Sequence, residues 1–366
     1  MPKTQLLFSK KLISWYLENK REMPWRETTN PYFIWLSEII LQQTRVAQGL
    51  PYYLTFTETF PTIQDLAKAP EEQVLKLWQG LGYYSRARNL HAAAKYVTDE
   101  CNGKFPDTYD AIIKMKGVGD YTASAIASIC FNKPTAVVDG NVYRVLSRVF
   151  GIDTPINSSA GIKEFKALSQ ALIDPKQPAT YNQAVMEYGA IQCKPQNPDC
   201  SICVFNDNCV AFNTNTITEL PVKINKTKIK HRYLHYLVFK FPEQQTILQQ
   251  RTGKGIWQGL YEFPCIELEN IQEIPFEFEE DRFRETVATY NKAKSNFQEL
   301  SSFNITEILK HNSQPIIHKL SHQHLHTTFW IIETAELPEN AIPIADLKDF
   351  AVPVLISNFI DTFTNN

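Results

Sequence analysis

No stretch of the 366-residue sequence carries the run of roughly 18–20 apolar residues that a membrane span needs. The first twenty residues, MPKTQLLFSKKLISWYLENK, lack the layout of a signal peptide, and their apolar positions are spaced as in an amphipathic helix. A soluble, cytoplasmic protein with no membrane partner is expected, nucleoid-associated in a bacterium. A strong charge of either sign is also missing. The formal net charge is −2, which argues against a polyanion binder that works through a global positive field. There is no internal repeat, and residues 1–221 contain no convincing alternating strand.

What is present is organised in three parts. Lys and Arg against Asp and Glu number 22 to 21 in residues 1–221, 5 to 0 in 222–232 and 10 to 18 in 233–366. A near-neutral segment, a basic linker (219–232) and an acidic segment follow one another. Helical spacing over 33–46, 71–79, 85–100, 119–131, 140–150, 161–173 and 179–192 predicts an all-α domain over 1–218. After the linker, 233–241, 246–251 and 327–336 read as strands, with helices near 282–292 and 345–363. The fold class expected is a multidomain chain: all-α, then a smaller α+β domain over 233–366. The acidic run 277–285 reads as a solvated helix start.

Four of the seven cysteines, Cys193, Cys200, Cys203 and Cys209, form a C-x6-C-x2-C-x5-C array. An intracellular chain seldom spends such cysteines on disulfides. Four close thiolates suit either a tetrahedral zinc or a [4Fe–4S] cluster. One compact loop with uneven gaps is unlike the paired knuckles of a zinc ribbon and favours the cluster. Cys101, Cys130 and Cys265 read as packing residues.

The stretch KGVGDYTA (116–123) joins two helices by a very short turn. Free amides and the positive end of the second helix favour an anion there. Gly117 and Gly119, flanking Val118, are expected to allow positive φ and to let a phosphate approach the backbone. A tight turn without a ligand accounts for the same glycines. Downstream, Asp139 precedes a helix start in VDGNV, as an N-cap aspartate does; the helix end is expected to keep it ionised. Upstream, Glu38 stands alone among Ile34, Trp35, Leu36, Ile39, Ile40 and Leu41, where desolvation should raise its pKa. One carboxyl held protonated and one held ionised divide the labour of cleaving a glycosidic bond.

Together the hairpin, VDGNV, the cysteine loop, SEIILQQTRV and LWQGLGYYSRARNLH resemble the MutY-type adenine DNA glycosylases of the helix-hairpin-helix, endonuclease III superfamily. The resemblance covers residues 8 to about 225 densely and the remainder thinly. It implies a monomeric enzyme of base excision repair that removes adenine mispaired with 8-oxoguanine, or with guanine, from double-stranded DNA after flipping the base. It implies a [4Fe–4S] cluster on the four cysteines, and a monovalent cation or Ca²⁺ at the hairpin. Glu38 resembles the acid that protonates the adenine and later handles water. Asp139 resembles the anion that stabilises the sugar cation, with Tyr121 and Asn141 orienting the centre. Arg26, Leu41 and Gln183 resemble the adenine pocket; Gln43 and Tyr83 match residues that wedge into the stack beside the unflipped lesion, and Thr44 is expected among the DNA-binding residues. Strand-cleaving relatives carry a lysine where this chain has Tyr121, so the resemblance implies a monofunctional enzyme.

The C-terminal part resembles a Nudix-like domain that recognises 8-oxoguanine without hydrolysing nucleotides, since it has no G-x5-E-x7-R-E run. The family's lesion-reading Phe-Ser-His loop corresponds to Leu320, Ser321 and His322, and the leucine departs from that pattern. His322, His324 and His326 alternate along one face, but no carboxylate or cysteine accompanies them. Two other readings stay open at this level. A pyrimidine-lesion glycosylase with lyase activity is opposed by Tyr121, and a non-catalytic iron–sulfur damage sensor by the presence of both Glu38 and Asp139.

Overall fold

The computed structural model describes residues 3–224, 229–268 and 304–364, the side chains of 3–6 excepted. Its residues divide into two units, Met1–Ala69 with Arg88–Asn225, and Pro70–Ala87 with Lys226–Asn366. The helix expected near 282–292 and the acidic run 277–285 lie outside the described residues.

The first unit has no strand among its described residues. It contains α1 (Lys3–Asn19), α2 (Pro31–Ile40), α3 (Val46–Thr59) and α4 (Ile63–Lys68). In the second unit are α5 (Glu71–Leu77) and the start of α6 (Ser85–Asp99), whose remainder is in the first. The first unit continues through α7 (Tyr109–Ile112), α8 (Asp120–Phe131), α9 (Gly140–Phe150), α10 (Ser159–Leu172), α11 (Pro178–Glu187) and the short α12 (Val210–Asn213).

Local chemistry sets these boundaries. Asn30 Oδ1 accepts the Tyr32 amide at 3.0 Å and Pro31 opens α2, a pairing of cap and preset φ that starts helices. The helix stops at Ile40 rather than running to 46, because Gln43 takes a left-handed φ of 56°. Val142, Val145, Leu146 and Val149 fall on one face of α9, at the spacing of an amphipathic helix. That face joins a core with Phe8 and Leu12 of α1, Phe165 of α10, and Tyr181 and Val185 of α11. Burying each large apolar side chain contributes about 1.5–3 kcal/mol. The helix then ends at Gly151, φ 69°. α11 runs into a π-helical turn over Tyr188–Gln192, so the expected helix over 179–192 changes character near its end.

In the second unit, β1 (Lys230–Lys240) and β8 (Gln323–Thr334) pair in parallel, with Lys230 opposite Gln323 and Lys240 opposite Glu333. β5 (Cys265–Leu268) runs antiparallel on the other side of β1, while β6 (Ile305–Lys310) and β7 (Ile316–Lys319) share the far edge of β8. The strand expected over 246–251 is two short pieces, β2 (Gln245–Thr246) and β3 (Gln249–Gln250), paired with β9 (Ile342–Pro343) and β4 (Tyr261–Glu262). The helix expected over 345–363 divides into a 3-10 turn, Ile344–Asp349, and α13 (Val354–Phe363). Pro353 causes the division: it has no N–H to donate and it holds the residue before it extended. Phe359 of α13 stacks on Phe329 of β8, ring centroids 4.0 Å apart, and covers one face of the sheet. No helix among the described residues is long and apolar enough to cross a membrane.

One buried polar residue fixes the approach to α9. Asn182 is fully buried; it accepts the Val137 amide at 3.1 Å and donates to Thr135 O and Ser128 Oγ, both at 2.8 Å. Gln170 takes the Ala136 amide at 3.0 Å, and Ser169 donates to Val137 O at 3.0 Å. The extended segment before Asp139 is thereby hydrogen-bonded on both sides, though it belongs to no sheet. Replacing Asn182 with Leu strands a buried N–H, a carbonyl and a hydroxyl. A loss of about 2–5 kcal/mol in urea unfolding is expected. A loss under about 0.5 kcal/mol would show that the segment holds without it.

Candidate active site and cluster loop

A cavity of about 700 Å³ opens in the first unit, lined by Glu38 of α2, the 41–44 turn, Tyr121 and Thr122 of α8, Asp139, Gly140 and Asn141 at the start of α9, and Met186 and Glu187 of α11. Glu38 is the acid on a helix otherwise buried nearly all round. Burial drives its pKa up to about 7, a hydrogen bond from Tyr121 pulls it back, and the Asp139 charge pushes it up again. The Tyr121 hydroxyl also lies 3.1 Å from the Met186 sulfur. One O–H carries one proton. Ionised Glu38 therefore takes that proton as a hydrogen bond, whereas protonated Glu38 donates to the phenol oxygen and leaves the phenol proton to the thioether. Burial and the two carboxylates hold Tyr121 itself well above its ordinary pKa, so it stays a phenol.

Asp139 is the N-cap of α9. One carboxylate oxygen accepts the amides of Asn141 and Val142 at 2.9 and 2.8 Å, and the other accepts Asn141 Nδ2 at 2.8 Å. Burial nevertheless raises its pKa; the Val142 amide, both Asn141 donors and Arg144 pull against that rise. The cap thus moderates the cost of the charge and does not abolish it, a weaker outcome than the sequence suggested. Asn141 is oriented in turn by Arg144 Nη2, which donates to its Oδ1 at 2.8 Å and to Gly189 O at 2.6 Å.

A second wall has an acid that sequence reading passed over. Glu187, 1% exposed, is held by Arg21 at 2.7 Å and Arg26 at 2.8 Å. Burial alone would raise its pKa; the hydrogen bonds from Arg21 and then Arg26 outweigh it and bring the pKa to about 2. The signal was available: Glu187 is a lone acid in QAVMEYGA, as Glu38 is in WLSEII. Of the residues expected around an adenine, Arg26 and Leu41 line the cavity; Gln183 does not, and its Oε1 accepts the Tyr16 hydroxyl at 2.8 Å. Gln43 and Thr44 lie on the rim, Gln43 exposed.

The hairpin has unequal glycines. Gly117 adopts φ 77°, and a Cβ there would meet Asn89 Cβ at 2.7 Å. Gly119 is extended, φ −97°, correcting the expected positive φ; nothing stands within 4 Å of a Cβ built on it. Its space is open above the uncapped N-terminus of α8, where an anion would sit. Val118 is buried and donates its amide to Met115 O at 3.1 Å. Asp120, the hairpin's acid, is engaged by Lys166 and by the Tyr109 hydroxyl, both at 2.5 Å.

The cysteine loop carries four thiols of the donor type an iron–sulfur cluster uses, although no three of them are gathered as a metal-holding group. All four thiols are free of disulfides. Two of the sulfurs have donors of the kind that stabilise metal-bound thiolate, Arg148 Nη1 at 3.5 Å from Cys193 and the Phe205 amide at 3.4 Å from Cys203. The Tyr188 hydroxyl is also 2.9 Å from Cys203, whereas the Cys209 thiol donates to Arg148 O at 3.3 Å. Arg148 also donates to Lys194 O at 2.7 Å, and Arg144 Nε to Cys193 O at 2.8 Å.

In the second unit Tyr83 is 44% exposed at φ 49°. Ser321 and His322 are exposed in the turn between β7 and β8, 3.3 Å apart. His326 is not aligned with a metal partner: its Nε2 shares a proton with His231 Nδ1 at 2.9 Å. Among the described residues no group of three or more His, Cys, Asp or Glu is arranged to hold a metal ion.

The pKa of Glu38 has a thermodynamic consequence. The native state binds its proton more tightly than the unfolded state, so Glu38 costs stability as pH rises from about 4.5 through about 7. Glu38→Gln carries no such cost. Relative to the parent, the variant should unfold alike near pH 4.5 and gain up to about 3 kcal/mol by pH 8. Denaturant curves at both pH values check this; a pH-independent difference would place the pKa near that of an ordinary glutamate.

Comparison with known proteins fits this arrangement. Residues 36–170 match the HhH-GPD superfamily of base excision DNA repair proteins, 193–209 the iron–sulfur binding domain of endonuclease III, and 235–362 the NUDIX domain. The adenine DNA glycosylase of Buchnera aphidicola subsp. Baizongia pistaciae is 36% identical over 262 residues, covering 71% of this chain and 74% of that one. The Rattus norvegicus adenine DNA glycosylase is 37% identical over 313 residues, covering 72% of this chain and 61% of that one. The solved structure of a thermostable thymine-DNA glycosylase superposes with a TM-score of 0.54 at 29% identity, covering 58% of this chain and 98% of that one. With the repair, iron–sulfur and NUDIX segments in this order, and a relative matched over most of its length, the chain belongs to the adenine DNA glycosylase family.

Proposed function

We propose that the chain is a monofunctional glycosylase that hydrolyses the N-glycosidic bond of adenine mispaired with 8-oxoguanine or guanine, acting as a monomer on double-stranded DNA after the base is flipped out. The observation that carries this is the pair of carboxyls in one cavity, Glu38 with its pKa near 7 and Asp139 capping α9. Protonated Glu38 gives its proton to N7 of the adenine, so the base leaves as a neutral species when the C1′–N9 bond breaks. Positive charge develops on the sugar, where ionised Asp139 stabilises it. Glu38, now a carboxylate, accepts a proton from the water that attacks C1′, and Tyr121 donates to it meanwhile. Asn141 and Arg144 keep Asp139 in place. Arg26, oriented by Glu187, faces the base, and the amides beside Gly119 receive a backbone phosphate. No lysine lines the cavity, which supports water rather than an amine as the nucleophile.

Cys193, Cys200, Cys203 and Cys209 would hold a [4Fe–4S] cluster, whose contribution is to cross-link the loop 193–209. Ser321 and His322 would read the oxidised guanine by hydrogen bonds.

Single-turnover cleavage of a duplex with one adenine opposite 8-oxoguanine tests the reading. Strand scission should require an alkaline quench, and Glu38→Gln should slow base loss about 10²–10⁴-fold. In the parent, the rate should fall about tenfold per pH unit above about 7, as Glu38 loses its proton. Scission without alkali would point to a lyase instead, and tight binding without base loss to a damage sensor. Separately, iron and sulfide should each be found at about four per chain and be lost in Cys200→Ser; stoichiometric zinc would overturn the cluster.

A further inference from the structure

The segment Pro70–Ala87 lies in sequence among the helices of the first unit but packs as part of the second. What fastens it is a set of hydrogen bonds to the extended stretch between the 3-10 turn and α13. Lys76 Nζ donates to the carbonyls of Lys348 and Phe350, the latter at 3.1 Å. Gln79 Oε1 accepts the Val352 amide at 3.4 Å and Lys76 Nζ at 3.3 Å, while its Nε2 donates to Ser357 Oγ at 3.2 Å. The Tyr84 hydroxyl reaches Val352 O at 3.5 Å and accepts the Gly80 amide at 3.2 Å. The stretch Ala351–Pro353 belongs to no helix or sheet; Ala351 O accepts the Tyr261 amide and Pro353 O accepts amides of α13, while the Val352 amide and carbonyl are met by Gln79 and Tyr84.

The turn held this way is strained. Gly80 and Gly82 take φ of 91° and 77°, and Tyr83, with a side chain, takes 49°. A non-glycine residue persists in that region when its surroundings over-determine it. Arg86 does so locally. Its guanidinium lies 5.1 Å from the Trp78 ring and 5.6 Å from the Tyr83 ring, and it donates to Leu81 O at 3.3 Å and Gly82 O at 3.1 Å. The result is an exposed aromatic ring with little freedom, suited to stacking on a base.

We propose that Lys76 and Gln79 are positioning residues for Tyr83. They tie its turn to the Lys348–Val352 stretch, so that the stacking wedge is set by the same unit that carries Ser321 and His322. The proposal rests on the glycosylase reading and adds to it: wedge and lesion reader are parts of one rigid frame rather than of two.

The test uses the full-length protein with Lys76→Met, Gln79→Leu, Lys76→Arg, Tyr83→Ser and the double variant Lys76→Met/Tyr83→Ser. Hydrogen exchange of peptides over 78–84, without DNA, reads the clamp. It should quicken about tenfold in Lys76→Met and Gln79→Leu and stay near parental in Lys76→Arg. Affinity for a duplex with an unhydrolysable adenine analogue opposite 8-oxoguanine reads the wedge. Lys76→Met and Tyr83→Ser should each weaken it about tenfold, and the double variant should be less than about twofold worse than Tyr83→Ser alone, since the two act through one contact. Equal losses in both backgrounds, or unchanged exchange and affinity, would overturn the proposal. Gln79→Leu supplies the same two readouts should Lys76→Met fail to fold. If the parent shows no preference for the lesion duplex, the glycosylase reading fails, and the exchange arm still decides the clamp.

Discussion

A carboxyl group whose pKa burial lifts to about 7, beside a second buried carboxyl, is the constraint on which the first unit is arranged. Two acids lining one cavity repel, and burial raises both pKa values. The repulsion is not cancelled by a cation placed between them; it is divided by what each acid touches. Asp139 has three donors from its own helix end and Arg144 behind them, all favouring the ion. Glu38 has apolar neighbours on its helix and one phenol, which serve either protonation state. The asymmetry in hydrogen bonding is what distinguishes the two acids.

The arginines extend the same logic outward. Arg144 and Arg148, both buried, spend their donors on backbone carbonyls: Gly189 and Cys193 for one, Leu220, Lys194 and Pro195 for the other. A buried guanidinium satisfied mainly by carbonyls keeps most of its charge uncompensated, and that charge lies beside Asp139 on one helix and Cys193 on the other side. Opposite, Arg21 and Arg26 are neutralised in part by Glu187, so the wall expected to face the base keeps orientation at a reduced positive charge.

How far this was legible follows from which forces were local. Asp139 and the cysteine array could be read because capping and metal ligation are matters of residue type at fixed spacing. Glu38 could be read because one acid in an apolar run is a conflict visible without coordinates. Glu187 sends the same signal, but its partners Arg21 and Arg26 are more than 160 residues away, and no spacing rule reaches them. The Asn182 network was equally hidden, since it pairs a helix with an extended segment that has no sheet pattern. Backbone signs were half legible: two glycines around Val118 announced a close approach, yet Gly117 alone needed a positive φ.

The segment Pro70–Ala87 shows why sequence continuity is a poor guide to mechanical unity. Its helical spacing is ordinary, and nothing in LWQGLGYYSR says which body it will join. Lys76 and Gln79 tie it to backbone groups of the extended stretch before Pro353, where the chain is outside any helix. An aromatic residue is thereby anchored by a stretch about 270 positions later in the chain. Such a dependence is readable in neither segment alone, because each looks complete until the hydrogen bonds of the other are counted.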